Sequence, residues 1–284
     1  PIGERSAFDL GPARGLERRA AYERAVAQAV GLIHAGDVFQ VNLTHALSAE
    51  FAGCPRALFA ELADRLAPWH GTYLEHAGVA IASASPELFL ELDAAGRVTT
   101  RPMKGTRAGT DRSLEASPKD AAELAMIVDL MRNDLGRVCR FGSVRVDDAR
   151  AIEPHGPHGS PHVWQGVATV SGELREHARL IDLLRATLPP GSITGAPKVR
   201  AMQIIDELEQ RLGYGDQSRG PYCGATGFIG DDGSASLAVA IRTAVVAGGV
   251  CRYPVGAGIV ADSDPAAEWR ETLVKAGPFL DLCA

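Results

Sequence analysis

No apolar run in these 284 residues approaches the length of a membrane span, which removes the transmembrane-helix classes. Excess positive charge is also missing. Lys and Arg number 29 against 35 Asp and Glu, a formal net charge of −6, whereas a general nucleic-acid binder needs the opposite sign. Cysteine is scarce: Cys54, Cys139, Cys223, Cys251 and Cys283 are scattered, with no Cys-x-x-Cys pair. An odd count without a framework argues against a secreted disulfide scaffold and fits a reducing, cytoplasmic setting. No internal repeat or low-complexity tract stands out, and no signal peptide is expected. The chain opens on Pro1 rather than Met, so a part that precedes it is expected. What remains is a soluble-type composition long enough to bury a large core, as one domain or two small ones.

Residues 1–17 are rich in Gly, Pro and Arg and read as a leader or linker, leaving 18–284 as the folded unit. Apolar residues at Tyr22, Val26, Ala29, Val30 and Ile33 recur at helical spacing, and Gly36 stops that helix. Val38 to Thr44 alternates, with Phe39, Val41 and Leu43 on one face and Gln40, Asn42 and Thr44 on the other. A strand with a polar second face is either solvated or lines a site. Segments 78–83, 88–92 and 98–101 read as strands, the last two joined by Ala94-Ala95-Gly96. Ser117-Pro118-Lys119-Asp120 starts a helix with a capping serine, proline at the first position and Asp120 at the capping-box position. Residues 153–162 read as a loop. Another helix follows Pro197, a β-meander runs from Tyr222 to Val260, and Asp264-Pro265 opens a last helix to about Leu280. Strands in adjacent runs favour an antiparallel α+β fold over a Rossmann arrangement.

Four acids stand out by spacing. Asp120 and Glu123, like Glu268 and Glu271, lie three apart, so each pair shares one helical face. Facing each other they would make an oxygen-rich pocket for Mg²⁺; otherwise they are two solvated faces. Lys275, four after Glu271, could be its surface partner. Lys104 is either a surface lysine or a nucleophile, and as a nucleophile it would need burial or neighbouring charge such as Arg101 and Arg107 to free its amine. Gly191–Lys198 looks like a phosphate loop but misses it, because Val199 stands where Ser or Thr is required. A glycine-rich turn can still offer backbone N–H groups to a carboxylate. His155, His158 and His162 could bind a metal or simply sit on a surface loop.

Taken in order, several segments resemble the chorismate-utilising enzymes over about residues 18–280. They include Gly36–Leu43, Ser85-Pro86-Glu87-Leu88, Lys104-Gly105-Thr106-Arg107 and Asp129–Leu135. Later come Gly191–Lys198, Tyr222-Cys223-Gly224, Ile241-Arg242-Thr243 and Gly256–Ser263, leading into Glu268-x-x-Glu271-Thr272-x-x-Lys275. The resemblance implies an α/β sandwich in which two large, mainly antiparallel sheets enclose the site, with helices outside. It implies that Glu123 and Glu271 hold Mg²⁺ with Asp120 and Glu268 close behind, and that Glu87 is the acid that protonates a departing ring hydroxyl. Thr106, Thr194, Tyr222, Arg242, Lys275 and the backbone at Gly256 and Gly258 would bind the carboxylates of chorismate. Family members usually carry an N-terminal region that packs on this core.

Three positions separate the branches of the family. Water-using members typically have a lysine base where this chain has Gln40, which disfavours isochorismate and salicylate synthesis. Anthranilate synthases typically have alanine where this chain has Lys104, whereas aminodeoxychorismate synthases have lysine. Anthranilate synthases also carry a histidine implicated in pyruvate elimination where this chain has Gln165, and a glutamine is no general base. Gly166 and Ala168 depart from the usual residues. The resemblance therefore implies component I of an aminodeoxychorismate synthase, on the route to p-aminobenzoate and folate, with Lys104 as covalent nucleophile. Ammonia would come from a separate glutamine amidotransferase. The alternatives are an ortho-aminating enzyme, making anthranilate or 2-amino-2-deoxyisochorismate, and a non-catalytic chorismate-binding paralogue.

Overall fold

The computed structural model describes residues 7–108, 113–156, 163–210, 212–214 and 219–283. Two antiparallel seven-stranded sheets carry the architecture. The first half of the chain supplies β1 (Phe8–Leu10), α1 (Arg19–His34), β2 (Gln40–Gly53), α2 (Pro55–Leu66), β3 (His70–His76), β4 (Val79–Ser85), β5 (Leu88–Leu92), β6 (Arg97–Arg101), β7 (Met103–Ala108) and α3 (Pro118–Gly136). There follow β8 (Arg145–His155), β9 (Val163–Glu173), α4 (Leu180–Thr187), β10 (Gly195–Ala196), α5 (Lys198–Glu209), β11 (Ala225–Ile229), β12 (Ala235–Val239), β13 (Thr243–Ala247), β14 (Val250–Ile259) and α6 (Pro265–Leu280). The first sheet runs β1-β2-β14-β13-β4-β3, with β10 also on β2; the second runs β11-β12-β5-β6-β9-β7, with β8 also on β9.

Helices cover the outer faces. Leu124, Ile127 and Met131 of α3 and Leu183 of α4 pack on Ala168 and Val170 of β9. Leu58 and Leu62 of α2 and Phe279 of α6 pack on the first sheet beside Tyr253, whose ring stacks on Phe279 at 4.9 Å. Tyr22 and Val26 of α1, Ile204 of α5 and Trp269 of α6 close over Val41 and Leu43 of β2. Burying one such aliphatic or aromatic side chain stabilises by about 1.5–3 kcal/mol, so three clusters of this kind hold the helices to the sheets. The expected α+β sandwich is thereby observed.

Local chemistry explains the helix starts. Ser117 Oγ accepts the Asp120 amide at 3.2 Å and Pro118 opens α3, while Asp264 caps α6 at the Ala267 amide at 2.8 Å. The capping box expected at Asp120 is only half formed, because its carboxylate turns to Arg107 at 3.0 Å.

Four expectations need correction. Residues 1–17 are not all linker, since Phe8–Leu10 pairs with Phe51–Gly53 of β2; a three-residue edge strand has too little periodicity to be read. His155 ends β8 rather than lying in a loop, stacked on Trp69 at 4.4 Å; His158 and His162 lie outside the described residues. Phe39 precedes its strand and is 70% exposed. The meander is split: β11 and β12 belong to the second sheet, β13 and β14 to the first. The chain crosses between sheets at Ala240–Arg242, where Arg242 takes φ 52°. Alternation along each strand was legible, but which sheet each strand joins depends on partners distant in sequence.

Candidate active site

A cavity of about 500 Å³ opens between the sheets. Separate elements each bring one part of its wall. β2 brings Asn42, the turn between β4 and β5 brings Glu87, β7 brings Lys104, α3 brings Asp120 and Glu123, the crossover brings Arg242, and α6 brings Glu268, Glu271 and Lys275. The polar face of β2 turns inward rather than meeting solvent: Gln40, Asn42 and Thr44 are all buried, Asn42 lines the cavity and Thr44 bonds to Glu209 behind it.

Glu87 is 4% exposed. Burial pushes its carboxyl up to about 7, against the downward pull of the Ser192 hydroxyl, the Lys104 charge and the Met103 amide. Lys104 has 13% side-chain exposure, and its ammonium lies 4.0 Å from Glu123. Burial lowers its pKa; Glu123 opposes this and Lys275 adds to it. The expected helpers Arg101 and Arg107 are engaged elsewhere, on Glu153 at 2.5 Å and Asp120 at 3.0 Å. An acid raised toward neutrality and an amine lowered toward it thus share one cavity, a pairing suited to protonating a leaving group while a nucleophile attacks.

Backbone geometry makes room for that amine. A Cβ on Gly258 would stand 2.8 Å from Lys104 Nζ and 3.3 Å from Gln40 Nε2. Lys104 and Gln40 therefore crowd the space over one glycine, and both amide atoms of Gln40 are buried without a partner. At Gly105, φ is +77° and a Cβ would meet Leu114 at 2.5 Å and Asp120 at 2.8 Å, so the bend after Lys104 requires glycine. Gly256 is similarly confined by the Leu43 carbonyl at 2.6 Å.

Five carboxylates (Glu87, Asp120, Glu123, Glu268, Glu271) and five cationic side chains (Lys104, Arg107, Lys119, Arg242, Lys275) line the cavity. Glu123 is raised by burial and by Asp120 and Glu271 against Lys104 and Lys119; Glu268 is raised by burial and Glu271 against Ser263. Burial also raises Glu271, but Lys275, Lys104 and Lys119 outweigh it and leave it lowered. Among the described residues no three His, Cys, Asp or Glu side chains close around a metal by themselves. Oxygen donors from two helices nevertheless fit a hard cation such as Mg²⁺, which takes one or two carboxylates and completes its shell with water and substrate oxygens. Sign balance points the same way. With five acids against five bases, an incoming dianion gains little net attraction unless another positive charge accompanies it.

The remaining expected residues fall into two groups. Tyr222, Arg242 and Lys275 line the cavity, and Thr106 stands exposed at its rim. Lys275 is not merely a surface partner: besides Glu271 at 2.7 Å, it donates to the Gly256 carbonyl at 2.9 Å. Thr194 is absent from the wall; its hydroxyl is spent on the Pro190 carbonyl at 2.7 Å. The turn before it contributes Ser192 instead. Lys198 serves structure, bridging α5 to Asp134 of α3 at 2.5 Å and to the Thr187 carbonyl at 2.7 Å. Sequence reasoning passed over Ser192 and the ion pair Glu209–Arg219 behind the wall, because nothing in their spacing marks them.

The family profile described as chorismate binding enzyme matches residues 8–281. The chain is 44% identical over 273 residues to anthranilate synthase component 1 of Thermus thermophilus, covering 92% of this chain and 56% of that protein. It is 42% identical over 273 residues to aminodeoxychorismate synthase component 1 of Klebsiella aerogenes, covering 92% and 57%. The crystal structure of anthranilate synthase component I from Streptococcus pneumoniae superposes with a TM-score of 0.78 at 34% identity, covering 95% of this chain and 58% of that one. The chain spans a little over half the length of these relatives.

Proposed function

The chain belongs to the chorismate-binding enzyme family, and within it we propose that it aminates chorismate with ammonia, at the para position, to give 4-amino-4-deoxychorismate and water. The observation that carries this reading is the pairing of Lys104 with Glu87 in one cavity, each shifted by burial toward neutrality.

In this mechanism Glu87, protonated, gives its proton to the C4 hydroxyl as that group leaves as water. The neutral amine of Lys104 adds to C2 as both ring double bonds shift and the C4–O bond breaks. Ammonia then adds at C4, both double bonds shift back and the C2–N bond breaks, expelling Lys104. Two successive displacements return the new amine to the para carbon. Lys275 and Arg242 bind substrate carboxylates, and Thr106 receives them at the rim. Glu123 and Glu271 would hold Mg²⁺, with Asp120 and Glu268 near them; the ion, when bound, supplies the positive charge that neutralises the dianion. Gln165 faces the cavity without a proton-accepting group, so the enolpyruvyl side chain stays attached. Ammonia is supplied by a glutamine amidotransferase partner.

A second reading is ortho amination, as in anthranilate synthesis. What favours it is likeness: the identity to the Thermus anthranilate synthase component, 44%, exceeds that to the Klebsiella aminodeoxychorismate synthase component, 42%. Incubation with chorismate, Mg²⁺ and ammonium, followed by product identification by mass and NMR, decides between them. A para amine with retained enolpyruvyl supports the first reading. Anthranilate or 2-amino-2-deoxyisochorismate replaces it with the second, and absence of any turnover removes both.

A further inference from the structure

His45 lies fully buried in β2, opposite Val255 of β14, and its ring faces α6. Nε2 stands 2.9 Å from the Thr272 hydroxyl. That hydroxyl donates its one proton to the Trp269 carbonyl at 2.7 Å, so toward His45 it can only accept. The imidazole N–H is therefore on Nε2. Burial, with Arg18 adding to it, pushes the ring down to about 3, so it is neutral and Nδ1 carries no proton. Nδ1 is buried without a partner. The ring also stacks on Trp269 at 4.5 Å and meets Tyr22 edge-on at 5.1 Å.

An apolar ring would fill the same space without burying an unpaired nitrogen. What the imidazole adds is direction. α6 packs Trp269, Thr272, Ala276 and Phe279 toward the first sheet, and of these Thr272 takes a hydrogen bond from it. Apolar contacts hold a helix down without fixing its angle, whereas a hydrogen bond fixes an angle. Glu268 and Glu271 directly precede Trp269 and Thr272, the two residues of α6 that His45 touches, and both acids line the cavity. Ser263 fixes Glu268 from outside the helix, donating to it at 2.6 Å. Glu271 is bonded at 2.7 Å to Lys275, one turn on along the same helix, whose flexible stem reaches on to the Gly256 carbonyl. Where Glu271 points is thus set mainly by the roll of α6. Side-chain tips lie about 5–6 Å from a helix axis, so a roll of about 10° carries a carboxylate by about 1 Å.

We propose that His45 is a positioning residue for Glu271: its hydrogen bond to Thr272 fixes the roll of α6 and with it the direction in which Glu271 enters the cavity. Its effect on turnover rests on the proposed assignment of Glu271 as a holder of Mg²⁺. A displacement of about 1 Å at such a group is enough to cost up to roughly 10²-fold in rate.

The test crosses two variants. His45→Phe keeps a ring on Trp269 and loses the donor; His45→Gln loses the ring and keeps an N–H for Thr272. Crystal structures should show the Glu271 carboxylate displaced by about 1 Å in His45→Phe and by less than about 0.5 Å in His45→Gln. The Mg²⁺ concentration for half-maximal turnover should rise, and kcat fall, by roughly tenfold in His45→Phe, with both within about threefold of wild type in His45→Gln. The opposite order, or equal losses in both variants, assigns His45 to packing alone and overturns the proposal, as does a Glu271 that stays in place in His45→Phe. A ¹⁵N spectrum with the ring proton on Nδ1 overturns it as well. Should His45→Phe not fold, Thr272→Val, which removes the acceptor at nearly constant volume, takes its place. If Glu271 moves but the Mg²⁺ requirement does not, the metal assignment fails and the positioning stands. If the wild type turns over no chorismate, the proposed reaction fails, while the crystal structures still decide what His45 does.

Discussion

Replacing Glu87 by glutamine should disable the enzyme and stabilise the protein, and the gain in stability should depend on pH in one direction. The folded carboxyl titrates at about 7, against an ordinary value of 4.5. Because the folded value is raised, the stability linked to its protonated form is fully present below about pH 4.5 and is lost as pH rises through about 7. The loss amounts to about 1 kcal/mol at about pH 5 and about 3 kcal/mol at about pH 8, from a shift of some 2.5 units at 1.36 kcal/mol each. Glutamine has no charge to desolvate. Its advantage over the wild type should therefore grow by about 2 kcal/mol between those two pH values, and the comparison cancels any packing difference of the amide itself. Urea unfolding followed by circular dichroism at both pH values measures this directly. Turnover of chorismate in the same variant should drop by roughly 10²–10⁴. Wild-type kcat should decline about tenfold per unit above about pH 7 as the acid is lost. Parallel stability curves for the two proteins would refute the burial argument for Glu87.

Lys104→Ala should abolish or greatly weaken para amination while leaving the fold intact; full retention of 4-amino-4-deoxychorismate formation excludes a covalent role. Gly258→Ala should lower the rate by a comparable route, since its Cβ would stand 2.8 Å from Lys104 Nζ; an unchanged rate would mean that the amine is not held where the structure places it. Glu123→Gln and Glu271→Gln should each raise the Mg²⁺ concentration needed for turnover far more than they lower Tm, which a metal titration beside a melting curve reads; unchanged Mg²⁺ dependence in both removes them as ligands. The wild type should release no pyruvate in a coupled lactate dehydrogenase assay, and stoichiometric release with anthranilate would move the chain to the ortho branch.

How much of this was legible depended on whether the signal is local. The starts of α3 and α6 could be read because a capping side chain, a proline and an apolar stripe sit within one helical turn. Glu123 and Glu271 could be singled out because three-residue spacing is a local property of helices. β8 was largely missed because much of it is solvent-facing, so its alternation is weak. The short edge strand β1 was missed for want of length. Thr194 was misplaced because a motif gives residues, not the direction in which each side chain turns; here the hydroxyl faces back to Pro190 and Ser192 faces the cavity.

By itself the sequence determined the class of fold, the acidic helix faces, the lysine at 104 and the likeness to a family, because composition, period and motif order are properties of neighbours along the chain. The tertiary structure decided that β11–β12 and β13–β14 lie in different sheets. It decided that Arg101 and Arg107 are spent on Glu153 and Asp120 rather than on Lys104. It also decided that Arg219 clamps two cavity walls, and that Glu87 is held near 7. Each of these rests on burial and on partners brought from distant parts of the chain. A pKa, a buried ion pair and a sheet register arise only when those parts meet, since desolvation and pairing are properties of the assembled interior.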